Sequence, residues 1–277
     1  MAEFPAHIEI ELTNRCMLAC PMCPHRKMKR EQGDMTWDTL KKVVAQVFGR
    51  GAKTCYMHMI GEPLLHRDLA PMIDYVSFEA GLRTSISTNG MLLDEHTAER
   101  LLIGELDELT LALDSLKPQV YQTMRPGGDF ARVKANIDRT IEQHRKLGSD
   151  CRLELQMIVT RDNAGEVAAF EAEYLPKLEG VGELLVKGYS TFAGAVADLA
   201  PQPTPPRRYS CPKLHTSTAV LWNGDVVVCC RDYEGVTRVG NVHETPLAEL
   251  WRSAAYKRYR AAHQARDWDT LELCRDC

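Results

Sequence analysis

The sequence has little net charge. Its 34 Lys and Arg stand against 38 Asp and Glu, a formal charge of −4. That balance excludes a protein that coats nucleic acid or an anionic membrane. No stretch approaches the roughly 18 apolar residues of a membrane helix. The start, MAEFPAHIEIELTNRC, has no basic region followed by an apolar run, and so no secretory signal. The hydrophobic residues make up 44% and the charged ones 26%, which excludes a disordered chain. Internal repeats and low-complexity segments are missing too. The 277 residues are enough for one large domain or two modest ones, and the expected compartment is the cytoplasm.

What the sequence does have is cysteine. Ten fall at positions 16, 20, 23, 55, 151, 211, 229, 230, 274 and 277. Without an export signal they are expected as thiols, and a reduced cysteine pattern points to metal or catalysis before disulfides. Clustering near both ends predicts two metal sites. Cys55 and Cys151, lying between the clusters, are expected as core thiols.

Residues 1–190 alternate strand and helix patterns. Strands are expected at His7–Thr13, Lys53–Met59, Leu82–Thr88, Glu108–Leu113, Arg152–Val159 and Gly182–Gly188. Helices are expected at Trp37–Phe48, Leu69–Ala80, Glu95–Ile103, Ala131–Leu147 and Ala164–Leu178. This implies an α/β fold of right-handed parallel βαβ units, as a doubly wound sheet or a partial (β/α)6 barrel. Parallel strands buried on both faces read as continuous apolar runs. Here they alternate: His7, Glu9 and Glu11 share one face, as do Arg152, Glu154 and Gln156, and Glu183, Leu185 and Lys187. A polar face opposite the helix-covered one favours a TIM-like barrel with a hydrated or ligand-filled interior.

Residues 191–210 carry Pro201, Pro203, Pro205 and Pro206 and read as a linker. Residues 211–277 read as a small α+β domain. It has a hairpin of Thr218–Trp222 and Asp225–Cys229 turning at Asn223-Gly224, then a helix capped by Thr245 and running to about His263. A domain this small gains from a metal staple.

Cys16-x3-Cys20-x2-Cys23 follows the first strand. Structural zinc sites take four ligands, usually as two pairs. Three thiolates in one loop suit an iron–sulfur cluster with one iron left open. Ile60-Gly61-Glu62-Pro63 follows the second strand, Ser87-Thr88-Asn89-Gly90 the third, and Leu113-Asp114-Ser115 the fourth, with Arg125 beyond. Each lies where barrel sites form, at the C-terminal end of a strand. In the tail, Cys211, Cys229, Cys274 and Cys277 supply four thiolates from three segments, for which zinc competes with a cluster on chemistry alone.

This ordered set resembles the radical S-adenosylmethionine (SAM) superfamily. The resemblance implies a 4Fe-4S cluster on Cys16, Cys20 and Cys23 whose open iron is chelated by the methionine end of SAM. Met22 fits the apolar or aromatic residue that the family places before the third cysteine. Gly61 and Glu62 correspond to the family's contacts to the methionine amine, and Ser87 and Asn89 to a ribose segment. Asp114 precedes Arg125, which relatives use on the methionine carboxylate, and the adenine is expected near Val159. The sequence departs from the family pattern at Ile60, where relatives have Gly, and at Ala112, where many have Ser.

The tail resembles a SPASM or twitch extension, which implies an auxiliary 4Fe-4S cluster on Cys211, Cys229, Cys274 and Cys277. Gly240-Asn241, Leu247 and Trp251 fit that pattern. Four matching cysteines correspond to the one-cluster form, and cysteines beyond Cys277 would extend it. Cys230 is expected on the face of the strand opposite Cys229, either packing in the core or donating a hydrogen atom to a substrate radical.

The branch of the family implied is the one that oxidises or epimerises sugars, aminocyclitols and aminoglycosides in antibiotic biosynthesis. The resemblance also implies a small-molecule substrate and an electron donor such as flavodoxin or ferredoxin. Glu9, Glu11, Gln156, Lys187, Tyr189, Arg231 and Asp232 are the residues expected to grip a polar substrate. A peptide-modifying enzyme is the second reading, with no leader-binding domain expected before residue 6. A zinc-stapled binding protein, the third, leaves the three-cysteine loop unexplained.

Overall fold

The structure is a computed structural model describing residues 3–202 and 209–277. Six parallel strands are laid down in chain order: β1 (His7–Ile10), β2 (Thr54–Tyr56), β3 (Arg83–Thr88), β4 (Glu108–Ala112), β5 (Arg152–Val159) and β6 (Gly182–Gly188). Each pairs with the one before it. A doubly wound sheet reverses its strand order at a switch point. This order never reverses, which gives the expected partial barrel.

The helices are α1 (Trp37–Val47), α2 (Leu69–Ala80), α3 (Glu95–Leu102), α4 (Pro118–Met124), α5 (Phe130–Leu147) and α6 (Val167–Leu178). In α1 the buried Leu40, Val43, Val44 and Val47 recur at helical spacing, and Thr36 caps the start by accepting from the Thr39 amide. These side chains join Ile8, Ile10, Leu109, Leu111, Leu153 and Leu155 in one core between sheet and helices. Cys55 and Cys151 are buried in that core.

The opposite sheet face is polar. The Ser85 hydroxyl donates to Glu108 (3.2 Å), Thr110 donates to Glu154 (3.1 Å), and Arg152 pairs with both Glu108 and Glu183. The alternation in the sequence therefore marks a polar barrel lining.

After a short helix, α7 (Lys213–Thr216), the tail forms β7 (Ser217–Val220), β8 (Asp225–Val227) and β9 (Arg238–Asn241). β7 pairs parallel with β1, so all nine strands belong to one sheet, in the order β6-β5-β4-β3-β2-β1-β7-β8-β9. Of the expected linker 191–210, residues 203–208 lie outside the described residues, with Pro203, Pro205 and Pro206 among them. The part before them lies against the barrel: Lys27 donates to the Ala195 carbonyl (2.7 Å) and the Arg161 amide to that of Leu199 (2.8 Å).

The single tail helix expected from Thr245 is instead two, α8 (Leu247–Trp251) and α9 (Ala254–Ala265). Pro246, not Thr245, occupies the first cap. Ser253 interrupts the run because its hydroxyl accepts from the Tyr256 amide and starts a new helix.

Candidate active site

The three-cysteine loop leaves β1 at the C-terminal rim of the barrel. Cys16, Cys20 and Cys23 are partly buried, and each lies close enough to feel at least one other thiol's charge. Burial raises the Cys16 thiol to about 11 and Cys23 to about 12, and it raises Cys20 too, while Arg125 works the other way on all three. Met22 is buried beside them. The adjoining Gly61 is required by close approach: a Cβ there would lie 2.1 Å from the Thr13 carbonyl oxygen.

Glu62 is the organiser of this rim. Its carboxylate accepts from the Thr88 hydroxyl (2.7 Å), the Asn89 amide (2.8 Å) and the Leu64 amide (3.1 Å). Burial raises its pKa against these bonds. Asn89 is held in turn, its Nδ2 on the Met17 sulfur (3.3 Å) and its Oδ1 accepting from the Met91 amide (3.0 Å). Ser87 lies on the inward side of β3, one residue before Thr88. Arg125 is buried and ion-paired with Asp114 (2.7 Å), whose other oxygen accepts from the Ile158 amide (2.8 Å). Burial opposes the Arg125 charge, but Asp114, Cys20 and Tyr121 together more than offset it. Val159 closes β5 and pairs with Gly188. Glu62, Asn89, Asp114 and Arg125 thus meet at the rim that carries the three thiols.

In the tail, Cys211, Cys229 and Cys274 pack on one apolar cluster with Leu214, Val228, Trp251, Tyr256 and Leu271. Cys277 is exposed, and the Cys274 thiol, raised to about 12 chiefly by burial, feels the charges of both Cys277 and Cys211. Three distant segments therefore bring four thiols to one place. Among the described residues no three Cys, His, Asp or Glu gather tightly enough to hold a single metal ion. A multi-iron cluster gives each thiolate its own iron and so spreads its ligands. Both sets consist of thiols alone, the donors that iron–sulfur clusters take.

Cys230 is not placed on a face opposite Cys229 by strand alternation, because the chain leaves β8 at Val227; the two thiols lie close enough to push each other's ionisation in opposite directions, Cys229 up and Cys230 down. Lys213, unforeseen from sequence, donates to Cys230 Sγ (3.0 Å) and Glu9 Oε1 (2.9 Å). Glu9, Lys213 and Cys230 thus form one constellation where the tail meets the barrel interior. Lys187 stands higher on β6 with no carboxylate within ion-pair distance among the described residues. Burial lowers its pKa. His58, also unforeseen, lies within the fields of Glu9, Lys187 and Lys213. It has a buried Nδ1 without a partner.

Two expected substrate contacts are corrected. Asp232 is buried, and its carboxylate accepts from the amides of Gly235 (2.9 Å), Val236 (3.0 Å) and Thr237 (2.7 Å) and from the Thr237 hydroxyl (2.6 Å). It folds its own loop and has no capacity to spare. Glu11 is fully buried and ion-paired with Arg30. Arg231 donates to the Ser190 hydroxyl and lies 5.8 Å from the Phe192 ring centroid, and Tyr189 donates to the Ala197 carbonyl (2.6 Å), so both are engaged with the segment after β6.

The sequence profile described as "Radical SAM superfamily" matches residues 10–149, half of the chain. The chain belongs to the radical SAM superfamily. A second profile, "Iron-sulfur cluster-binding domain" (SPASM), matches residues 211–277. This radical SAM chain is 33% identical over 134 residues to a "Probable GTP 3',8-cyclase" of Methanococcus maripaludis, matching 48% of this chain and 44% of that one. It thus spans less than half the length of that relative. It is 26% identical over 298 aligned positions to the "Tungsten-containing aldehyde ferredoxin oxidoreductase cofactor-modifying protein" of Pyrococcus furiosus, covering 92% and 83%.

Among solved structures, BtrN in complex with AdoMet and 2-DOIA superposes with a TM-score of 0.69 at 19% identity, covering 100% of this chain and 94% of BtrN. Streptococcus suis SuiB bound to precursor peptide SuiA gives 0.73 at 17%, covering 94% and 67%. At these identities the likeness is one of fold. Membership brings the 4Fe-4S cluster and SAM of the family, and the tail brings auxiliary iron–sulfur binding. No helix among the described residues is long and apolar enough to cross a membrane.

Proposed function

We propose that this radical SAM enzyme abstracts a hydrogen atom from a small hydroxylated molecule, such as a sugar, aminocyclitol or aminoglycoside, and carries it to oxidation or epimerisation. The observation that supports this reading most is the polar barrel lining that runs from β1 to β6 and ends at the Glu9–Lys213–Cys230 constellation. Concave sites place a few polar groups to fix a ligand's orientation, and a lining this polar suits hydroxyls.

In this reading Cys16, Cys20 and Cys23 hold the radical cluster, and Cys211, Cys229, Cys274 and Cys277 the auxiliary one. When bound, the radical cluster and SAM supply a carbon-centred radical that removes one hydrogen atom. Glu62 would receive the methionine amine, Arg125 its carboxylate, and Asn89 and Ser87 the ribose, with the adenine against backbone near Val159. The electron donor would be a flavodoxin or ferredoxin. For oxidation, a barrel-facing base such as Glu9 would take a proton, and the auxiliary cluster held by the four tail cysteines would supply a one-electron acceptor. For epimerisation, Cys230 would act as the protonated thiol, give its hydrogen atom from the tail side and be left as a thiyl radical, which one electron from the donor and one proton would return to the thiol.

The test is anaerobic turnover with ring-deuterated sugars and aminocyclitols, following deuterium into 5′-deoxyadenosine. Transfer from a carbohydrate is expected. Absence of transfer from every carbohydrate, with transfer from a peptide, would overturn the proposal in favour of peptide modification. A Cys230→Ala variant that still cleaves SAM but releases only oxidised product would assign epimerisation to the wild type.

A further inference from the structure

Positive charge is gathered at one place in this chain. Residues 15–30, which run through the three-cysteine loop and past it, hold five Lys and Arg and no Asp or Glu. Over the rest of the chain 29 Lys and Arg stand against 38 Asp and Glu. Two of the five are compensated, Arg15 by Asp34 (3.7 Å) and Arg30 by Glu11. Arg26, Lys27 and Lys29 are exposed, and among the described residues none has a carboxylate within ion-pair distance. Lys27 donates to the Ala195 carbonyl (2.7 Å), which leaves its charge in place. Glu31 and Glu234 border the strip on the side of the tail. The Glu31 carbonyl accepts from the Trp222 indole (3.3 Å), and the Glu234 carboxylate accepts from the Lys29 amide (2.7 Å).

The strip begins at the candidate cluster ligands. Pro24–Lys27 form one 3-10 turn capped by Cys23, so Arg26, Lys27 and Lys29 all lie within six residues of that thiol. Pro21, between Cys20 and Cys23, is exposed, and the three thiols are only partly buried. Radical cleavage of SAM consumes one electron, and electron transfer between proteins slows steeply with distance. A donor must therefore seat itself close to this loop. The surface left for it is small and uncharged at Pro21 and positive along the turn that follows. Weak redox encounters bury little area and are oriented by charge. A carrier of acidic surface is drawn to this strip and repelled by the acidic remainder of the chain, which turns it toward the cluster.

We infer that Arg26, Lys27 and Lys29 form, with Pro21, the docking surface for flavodoxin, a small acidic carrier of single electrons. In the docked pair one electron leaves the carrier's reduced flavin and arrives at the radical cluster. The flavin is oxidised by one electron, the cluster is reduced by one, and no bond is made or broken. The inference rests on the cluster site at Cys16, Cys20 and Cys23 and is independent of the substrate.

Calorimetric titration of flavodoxin onto the anaerobically reconstituted protein tests this, together with the rate at which photoreduced flavodoxin reduces the radical cluster. Raising salt from about 20 mM to about 200 mM cuts the screening length to roughly a third, and should weaken wild-type binding at least tenfold. Arg26→Glu/Lys29→Glu should weaken binding and slow reduction at least tenfold at low salt, and Arg26→Gln/Lys29→Gln by less. Lys42→Glu/Lys146→Glu makes the same change of charge at exposed positions of α1 and α5 and should leave both within twofold. Reduction by photoreduced 5-deazariboflavin, small and uncharged, should be equal in all four proteins.

No binding by the wild type at low salt, binding indifferent to salt, an equal loss in the control pair, or an equal slowing with the deazaflavin overturns the assignment. Because the deazaflavin replaces the protein donor, the deuterium test runs without one. Deuterium transfer from a carbohydrate, with no effect of Arg26→Glu/Lys29→Glu on flavodoxin, retains the reaction and removes the docking surface. The converse result retains the surface and removes the reaction.

Discussion

Replacing Arg30 should show how much of the cluster loop's order comes from the tail. Arg30 donates through Nη1 to Glu11 (2.8 Å), ion-pairs with the same carboxylate through Nη2, and donates through Nε to the Tyr233 carbonyl. Its side chain is 13% exposed and that of Glu11 is 0%. The Glu234 carboxylate meets the same segment by accepting from the Lys29 (2.7 Å) and Arg30 (3.2 Å) amides. Arg30→Ala leaves Glu11 buried and charged with only a long bond from the Trp222 amide (3.4 Å). Breaking a buried pair in this way costs about 3–5 kcal/mol, a melting shift on the order of 6–20 °C for a chain of this size. The assay is thermal melting of the cluster-free protein under reductant. The double variant Glu11→Gln/Arg30→Met removes both charges and should recover most of the loss. A single-variant loss below about 1 kcal/mol, or a double variant no better than the single, would refute the claim that this pair is a charge-compensated clasp.

Gly61→Ala drives a Cβ into the Thr13 carbonyl and should abolish soluble expression, whereas Gly165→Ala, with nothing within 4 Å, should melt like the wild type. Asp232→Ala strands three amides and a hydroxyl and should cost at least about 3 kcal/mol without any ligand present; a substrate-binding role would instead leave the melting temperature unchanged. Asp138 and Glu173 sit below the ordinary carboxylate range. Burial works against this, but hydrogen bonds from Lys134 and Lys177 outweigh it. Their contribution is therefore present above their unfolded pKa values, near pH 4, and lost as pH falls through the lower folded ones. Melting should drop between neutral pH and pH 3, and by less in a Lys134→Met/Lys177→Met variant. These groups are partly exposed, so the effect is small and screened by salt.

The barrel was readable because its interior is polar. Parallel strands ordinarily show no alternation. Here Ile8 and Ile10 face helices while Glu9 faces inward, and each strand announced its two sides. Glu62 and Asp114 stood out because each belongs to a short motif at a strand end, and Arg125, at the end of α4, was singled out through the family resemblance. Lys213 was not, because nothing local links a lysine after Cys211 to Glu9, 204 residues away, or to Cys230, 17 residues on. Asp232 misled for the reverse reason. A charged residue beside a cysteine invites a functional reading, while its three amide partners belong to a turn that no periodicity encodes. The break between α8 and α9 was written in Ser253, whose capping ability competes with a continuous helix.

The parallel pairing of β7 with β1 gives the tail its place at the site. A tail attached only through a proline-rich segment would be free to rotate, and no one distance between its thiols and the barrel would be enforced. Four cross-strand partners, His7 with Ser217 through Ile10 with Val220, fix its register on β1. One residue of slip would turn the β7 side chains to the opposite faces, and the buried Tyr256 hydroxyl would lose its bond to Thr218 (2.7 Å). Because Glu9 lies within that pairing and Lys213 begins the helix leading into β7, the same register that holds the sheet also holds Lys213 on Glu9 and Cys230. Inserting one residue before β7 should therefore disturb the Glu9–Lys213–Cys230 constellation before it disturbs the six barrel strands, which make none of their mutual pairings through the tail.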